Sequence, residues 1–168
     1  MPTEEQDHID LIVDQWRHER PELDTEPMET LGRVIRAAQL ADAVLANRLA
    51  AHGLEPGWFD LLAALRRAGP PYQLNPTALR ESTLLSSGGM TKRLDRMAEA
   101  GLIERRPDPN DRRGTLVRLT RKGRSVVDRA VETHLDNERH LLTILSREDR
   151  RVLNAVLRKL LRGLEQAD

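Results

Sequence analysis

Apolar residues recur at helical spacing in several stretches of the chain. The first stretch has them at offsets of three, four and seven, at Ile9, Ile12, Val13 and Trp16. This pattern predicts a short amphipathic helix that ends near Pro21. A second helix, with Pro27 in its first turn, is predicted to continue to about Ala51. The run "WFDLLAALRRA" then predicts a compact third helix ending at Ala68, and "GPPYQ" after it is interpreted as a loop.

The middle of the chain predicts two shorter helices joined by a tight turn. Asn75 is a helix cap and Pro76 suits the first helical position, so a short helix is expected through Leu79. A turn at residues 84–87 leads into "GGMTKRLDRMAEAG", whose last glycine, Gly101, ends the second helix. Two helices with so short a connection predict a helix-turn-helix unit.

After Gly101 the period of the pattern changes. "LIERRP" and "TLVRLT" are short strand-like runs, and "DPNDRRG" between them is rich in turn-forming residues, so a β-hairpin is predicted. A long helix follows from Thr120, and a last helix begins at the capping sequence 146–149. The last helix carries a leucine-rich stripe at Leu153, Val156, Leu157, Leu160, Leu161 and Leu164. The predicted fold is therefore mainly α with a small β-hairpin, in the order of a winged helix-turn-helix.

Composition narrows the class of protein. Apolar residues make up 39% of the chain and charged residues 32%, and only four aromatic side chains are present, so Leu, Val and Ala must form the core. The absence of cysteine excludes disulfides, thiolate metal sites and thiol redox sensing. Acidic first residues, and the absence of a run of about 18 apolar residues, predict a cytoplasmic protein.

The sequence contains no pattern typical of catalysis. Its five histidines are scattered, and it has no H-E-x-x-H motif, no Gly-rich phosphate loop and no nucleophile elbow. We therefore expect neither an enzyme nor a protein with a bound metal or cofactor.

Positive charge is concentrated in one segment of a chain whose formal net charge is zero. Residues 86–124 contain eleven Lys or Arg and five Asp or Glu, a local excess of six positive charges. Small residues at the start of a helix allow close approach to phosphates, and longer polar side chains on its exposed face reach base edges. The candidate DNA-binding residues of this helix are Ser86, Ser87, Gly88, Gly89, Thr91, Lys92 and Arg96. On the hairpin turn, Arg112 and Arg113 suit an adjacent minor groove. The alternative interpretation of these charges is a solvated face.

The segment "AGLIERRPDPNDRRGTLVRLTRKGR" is similar to the pattern of MarR-family transcription regulators. It resembles that pattern in a Gly-Leu-Ile start, an Asp-x-Arg wing and an "LT-x-x-G" entry to the next helix. The resemblance implies that Asp111 steadies the wing arginine Arg113, while Gly114 stands where the family commonly has a serine. It also implies a winged helix-turn-helix dimer that binds a roughly palindromic operator near its own promoter, as a repressor.

The terminal leucine stripe supports a dimer independently of the resemblance. A stripe four turns long requires an apolar cover, since a small monomer rarely exposes so large a patch. The alternative is that it packs wholly within its own subunit. We accordingly expect three regions: residues 1–52 with the N-terminal extra helix and the first dimerisation helix, 53–124 as the winged DNA-binding region, and 125–168 as the C-terminal dimerisation helices.

The N-terminal stretch "DQWRHERPELDTEPM" resembles the extension of the urate-responsive MarR branch. That resemblance implies ligand-binding roles for Trp16, Asp60 and Arg93, because a guanidinium can pair with a planar anion and an indole can stack on it. The alternatives are that Trp16 only anchors the extra helix and that Asp60 and Arg93 form a structural ion pair. Trp58 belongs to a different helix and is expected to pack locally.

Other ligands and other functions remain open. Proteins with a similar extension respond to other anions, including tricarboxylates, so the effector can be a carboxylate or phenolic compound in place of urate. Two alternatives involve no ligand: an architectural DNA-binding protein that uses the same helix and wing, and a protein–protein adaptor.

Overall fold

The computed structural model describes residues 6–83 and 89–166, and describes Arg112 by its backbone alone. The elements in chain order are α1 (His8–Glu19), α2 (Glu26–Ala50), α3 (Trp58–Arg67), β1 (Gln73–Leu74), α4 (Pro76–Glu81), α5 (Met90–Glu99), β2 (Ile103–Asp108), β3 (Asp111–Leu119), α6 (Arg121–Leu141), a 3-10 helix (Leu142–Ile144) and α7 (Arg147–Glu165). The chain divides into two compact units, residues 1–47 and 48–168. Within the described ranges, no helix has the length and apolar character needed to cross a membrane.

In the first unit, α1 is capped and fastened to the first half of α2. Asp7 is its N-cap, with a capping box completed by Asp10. Arg33 of α2 then donates from Nε to Asp7 Oδ2 at 2.7 Å and from Nη2 to Asp10 Oδ1 at 2.5 Å. The Arg33 guanidinium lowers the pKa of Asp7 below its ordinary value. At Gly32 a side chain would approach Ile9 to 3.0 Å, so the glycine allows the two helices to pack closely.

The predicted apolar stripe of α1 divides into a buried half and an exposed half. Ile9 and Val13 are buried, as the helical spacing requires. Ile12 and Trp16 are exposed, Trp16 to 43%.

The core of the second unit is built around α3. Seven of the ten residues of this helix are buried, among them Leu61, Leu62 and Leu65, which are fully inaccessible. Leu79 of α4, Met97 of α5 and Val117 of β3 complete the fully buried centre together with Val127 of α6. Burying one such side chain contributes about 1.5–3 kcal/mol, so α3 is the support on which the helix-turn-helix unit and the sheet rest.

The sheet has three antiparallel strands in the order β1-β3-β2. The hairpin of β2 and β3 confirms the prediction for this region, and the fold is mainly helical as expected. The strand β1 was not predicted, because Gln73 was assigned to a loop; it pairs with Arg118 of β3, while Leu74 pairs with Val117. The hairpin turn is also shorter than predicted, since a register shift after Pro107 lets β3 begin at Asp111.

Thr120 joins the hairpin to α6. It caps α6 by accepting a hydrogen bond from the Gly123 amide at 2.9 Å, and its hydroxyl lies 2.7 Å from the carbonyl oxygen of Gly101. Its backbone N–H donates to the Leu102 carbonyl at 3.1 Å. A Cβ atom at Gly123 would stand 1.9 Å from that same oxygen. The "LT-x-x-G" pattern is therefore a packing requirement between the helix start and the end of the preceding turn.

The last helix forms where its capping sequence predicts. Ser146 is the N-cap, and Asp149 closes a reciprocal capping box. All residues of α7 are described, and none of them is buried within its own chain. Four members of the leucine-rich stripe are 43–59% exposed: Leu153, Val156, Leu161 and Leu164. The stripe is thus left uncovered by the rest of the chain.

Candidate nucleic-acid interface

Helix α5 has one buried face and one charged face. Leu94 and Met97 are buried, and their spacing turns Thr91, Lys92 and Arg96 outward, where all three are exposed. Three of the predicted contact residues, Ser86, Ser87 and Gly88, lie outside the described residues.

Gly89 is the N-cap of α5. Its φ of 76° lies in the left-handed region that favours glycine, and a Cβ there would meet open space. The helix start therefore has no side chain to keep a phosphate away.

The tip of the hairpin is stabilised by two carboxylates. Asp108 Oδ1 accepts from the Asn110 amide and Asp111 Oδ1 accepts from the Arg113 amide, each at 2.9 Å. Asp111 thus holds the backbone of Arg113, whose side chain is exposed. At Gly114 a Cβ would come within 2.9 Å of the Cβ atoms of both aspartates, which explains why no larger side chain stands there. The side chain of Arg112 is not among the described atoms.

Helix and hairpin are connected by an ion pair. Nη1 of Arg105 in β2 lies 2.7 Å from Oδ1 of Asp95 in α5. Because Asp95 lies one residue from both Leu94 and Arg96, this contact ties the charged face of α5 to the base of the hairpin. The ion pair thus connects the two elements that carry the exposed side chains of Lys92 and Arg113.

Much of the positive charge in residues 86–124 has partners inside the protein. Arg106 pairs with Glu104 at 2.9 Å, and Lys122 donates to the Ala100 carbonyl at 2.7 Å. Arg96 forms an ion pair with Glu55, which lies in the segment before α3. Among the described side chains, Lys92 and Arg113 make no ion pair that competes with a phosphate.

Comparisons with known proteins identify the class to which this surface belongs. The sequence model of the MarR family matches residues 52–114. The chain is 40% identical to the HTH-type transcriptional regulator PecS of Dickeya dadantii over 146 residues, covering 87% of this chain and 88% of PecS. It is 32% identical to the multiple antibiotic resistance protein MarR of Salmonella typhimurium, over 78% of this chain and 90% of that protein. The chain belongs to the MarR family.

The fold of this MarR-family protein agrees with that assignment. A crystal structure of a mutant MarR from E. coli complexed with operator DNA matches it with a TM-score of 0.70 and 28% identity, over 87% of this chain and 97% of that one. The protein is accordingly a DNA-binding transcription regulator with a winged helix-turn-helix. The MarR family is a family of transcription regulators, not of enzymes.

The three predicted ligand residues fall on three helices. Trp16 lies on α1, in the first unit. Asp60 lies in the first turn of α3 and Arg93 on α5, both half-buried, and neither is without a partner. Trp58 is buried in the core as expected.

A cavity of about 320 Å³ lies in the second unit at the N-terminus of α5. Its lining comes from the start of α5 and from the residues at and before the start of α3: Gly89, Lys92, Arg93 and Arg96 on one side, and Glu55, Pro56 and Trp58 on the other. The cavity combines an indole edge with three cations and one carboxylate. These groups are able to bind a small planar anion.

Sequence reasoning missed Glu55 as a member of this surface. It is separated from Arg96 by 41 positions, and no local motif connects them. A search for carboxylates near helix starts would have included it among many others, because only the tertiary fold brings the segment before α3 to Arg96.

Proposed function

We propose that this MarR-family protein is a dimeric repressor that binds a palindromic operator and is released from it by a small anionic ligand. The observation that carries the proposal is the joint surface of α5 and the hairpin, with Lys92 and Arg113 turned outward and Asp95 fixing the two elements together. The helix suits the major groove and the arginine-bearing turn suits the minor groove.

The uncovered stripe on α7 supports assembly of two copies. Exposed apolar side chains in a row of four turns are stabilised by burial against a second apolar surface. Two copies related by a two-fold axis would present two recognition helices to half-sites about one helical turn apart.

The experiment is a titration of the protein's own upstream region by fluorescence anisotropy at several salt concentrations. We expect specific binding. The logarithm of the association constant should fall linearly with the logarithm of the salt concentration, with a slope of about −0.9 for each phosphate contact. Arg113→Ala should weaken operator binding by about tenfold or more, in line with the loss of one arginine contact on each half-site.

Arg139→Ala is the matched control. It removes the same charge from an exposed position on α6, and 18 helical residues separate it from Arg121, a distance of about 27 Å. If both variants lose affinity equally, or if neither does, the assignment of the hairpin to DNA is wrong. A protein–protein adaptor would show no loss from Arg113→Ala.

We propose an anion such as urate as the ligand, with Arg93 and Asp60 among its contacts. The support for Arg93 is the cavity that it lines on α5, the helix that we propose to enter DNA; Asp60 is not among the lining residues, and its role stays a prediction from the resemblance. A ligand that changes the position of Arg93 alters α5 itself, so that ligand and operator compete through one element. Trp16 remains a prediction from the resemblance to the urate-responsive branch.

Thermal melting with urate, citrate and salicylate tests the ligand. A compound that binds only the folded state, and is present at a concentration of a hundred times its Kd, adds about 2.7 kcal/mol to the free energy of unfolding. Arg93→Ala should abolish the increase in Tm and the release from DNA, and Trp16→Leu should weaken both. An architectural protein would show no stabilisation by any of the three anions, which would refute the ligand while leaving the DNA-binding proposal intact.

A further inference from the structure

The ring of Tyr72, which precedes β1, is close to two guanidinium groups. The Cζ atom of Arg66, at the end of α3, is 5.1 Å from the centroid of the tyrosine ring, and Cζ of Arg124, in the first turn of α6, is 4.7 Å from it. Both distances are within the range of cation–π attraction. The ring therefore connects two helices that are distant in sequence.

A carboxylate completes the group. Asp128 accepts from Nε of Arg66 at 2.7 Å, and its second oxygen is 3.7 Å from Nε of Arg124. The hydrogen bond that Arg66 donates to Asp128 raises the pKa of Arg66 above its ordinary value. Because one carboxylate faces both cations, the two guanidinium groups can approach the same ring. These four residues, Arg66, Tyr72, Arg124 and Asp128, are called the Tyr72 cluster below.

The backbone of Tyr72 is held in a conformation that tyrosine rarely adopts. Its φ is 62°, in the left-handed region. Its N–H donates to the Gly69 carbonyl at 2.6 Å, and its carbonyl accepts from Leu119 of β3 at 3.0 Å. Such a conformation persists only where the surrounding contacts determine it. The two guanidinium groups contact the ring of Tyr72, and the hydrogen bond from Leu119 of β3 holds its backbone.

The same point is where the hairpin is attached to the helices. Directly after Tyr72, β1 pairs with β3 at Arg118 and Val117. Arg118 also donates to the Pro71 carbonyl at 3.2 Å. From Arg118 the strand continues for five residues to Arg113, a length of about 17 Å. A rotation of about 10° at the base would move the tip by about 3 Å, which is enough to break a hydrogen bond to DNA.

We propose that Tyr72 is a positioning residue for the DNA-binding hairpin, and that the Tyr72 cluster sets the angle at which Arg113 is presented. The inference rests on the proposed contact between Arg113 and the minor groove. None of the four cluster residues needs to contact DNA. One cation of the basic segment, Arg124, thus stabilises the DNA-binding surface instead of contacting DNA.

The test is a double-mutant cycle measured on the operator. Tyr72→Leu removes the ring face, Tyr72→Phe keeps it, and Arg113→Ala removes the side chain that is positioned. We expect Tyr72→Leu to lose about tenfold in affinity, like the loss of one arginine contact to DNA, with the same reduced salt slope as Arg113→Ala. The double variant should be no weaker than Arg113→Ala, and Tyr72→Phe should match the unchanged protein.

The salt slope separates positioning from a general loss of stability, since a destabilised but correctly folded protein keeps its number of phosphate contacts. Losses that multiply in the double variant, or an unchanged slope for Tyr72→Leu, would overturn the inference. If Tyr72→Leu does not fold, Arg124→Met tests the same prediction, because it removes one cation and keeps most of the stem. Should Arg113→Ala itself bind normally, the proposed function of the hairpin fails; should only the cluster variants bind normally, the inference alone fails.

Discussion

Among the glycines that the structure describes, Gly123 is the one where an added methyl group should lower the stability of the fold most. A Cβ atom there would lie 1.9 Å from the Leu102 carbonyl oxygen, whereas real Cβ atoms essentially never come closer than 3.0 Å. The start of α6 would have to retreat by about 1.1 Å from a backbone atom that cannot rotate away.

The expected cost of Gly123→Ala follows from three contributions. Overpacking costs about 1–3 kcal/mol. The retreat also lengthens the hydrogen bonds that Thr120 makes to the preceding turn, each worth about 1 kcal/mol. Alanine regains about 1 kcal/mol of helix propensity over glycine. The net loss is about 3 kcal/mol, which for a chain of this size lowers Tm by about 6–12 °C.

Urea unfolding followed by far-UV circular dichroism, at one fixed protein concentration, measures this loss. Ser125→Ala is the control, because it leaves an alanine at an exposed position of the same helix and removes only a surface hydrogen bond from Arg129; it should stay within about 0.5 kcal/mol. If Gly123→Ala is as stable as the control, the close approach between α6 and Leu102 does not exist and the account of the "LT-x-x-G" pattern is wrong.

Three further outcomes are expected. Val156→Glu, in the exposed stripe of α7, should convert the proposed dimer to a monomer in sedimentation velocity at micromolar concentration, whereas Ala155→Glu on the side of the helix opposite the stripe should not; a dimer in both would exclude this face. Asn75→Ala should cost about 1 kcal/mol in urea unfolding, because it removes the cap that accepts from the Ala78 amide at 2.8 Å; an unchanged midpoint would contradict this. Since Arg33 lowers the pKa of Asp7, the stabilisation it gives is complete above the ordinary pKa of a carboxyl and is lost as the pH falls through the lowered value. The protection factors of the α1 amides, which correct the exchange rates for the intrinsic effect of pH, should therefore fall on acidification, and Arg33→Gln should reduce that dependence.

Elements with their own capping signals could be predicted from the sequence. Asn75 and Ser146 accept hydrogen bonds from their own helices, so the information lies within four residues. The buried and exposed faces of α5 likewise follow from spacing alone, which is why the outward position of Lys92 could be predicted.

Elements defined by distant partners could not be predicted in this way. The strand β1 is two residues long and shows no periodicity; it exists because Gln73 pairs with Arg118. The extension of β3 to Asp111 depends on a register shift in the opposite strand. The partners of the arginines, such as Glu55 for Arg96, depend on how the segment before α3 comes to lie beside α5 in the folded chain. Whether a second copy covers the stripe on α7 is a question of assembly, which helical spacing leaves open.

The ion pair between Arg96 and Glu55 bears on how the regulator finds one site among a whole genome. A chromosome offers about 10⁶–10⁹ competing sites, so discrimination matters more than raw affinity. Any duplex that recruits Arg96 must first displace a carboxylate, at a cost of up to about 1 kcal/mol for an exposed pair. If Arg96 reaches a base edge as the sequence predicts, a correct half-site would offset that cost, whereas a random sequence would offer the guanidinium a phosphate at most. Glu55 would then act as a filter, shortening the time the protein spends on the wrong DNA.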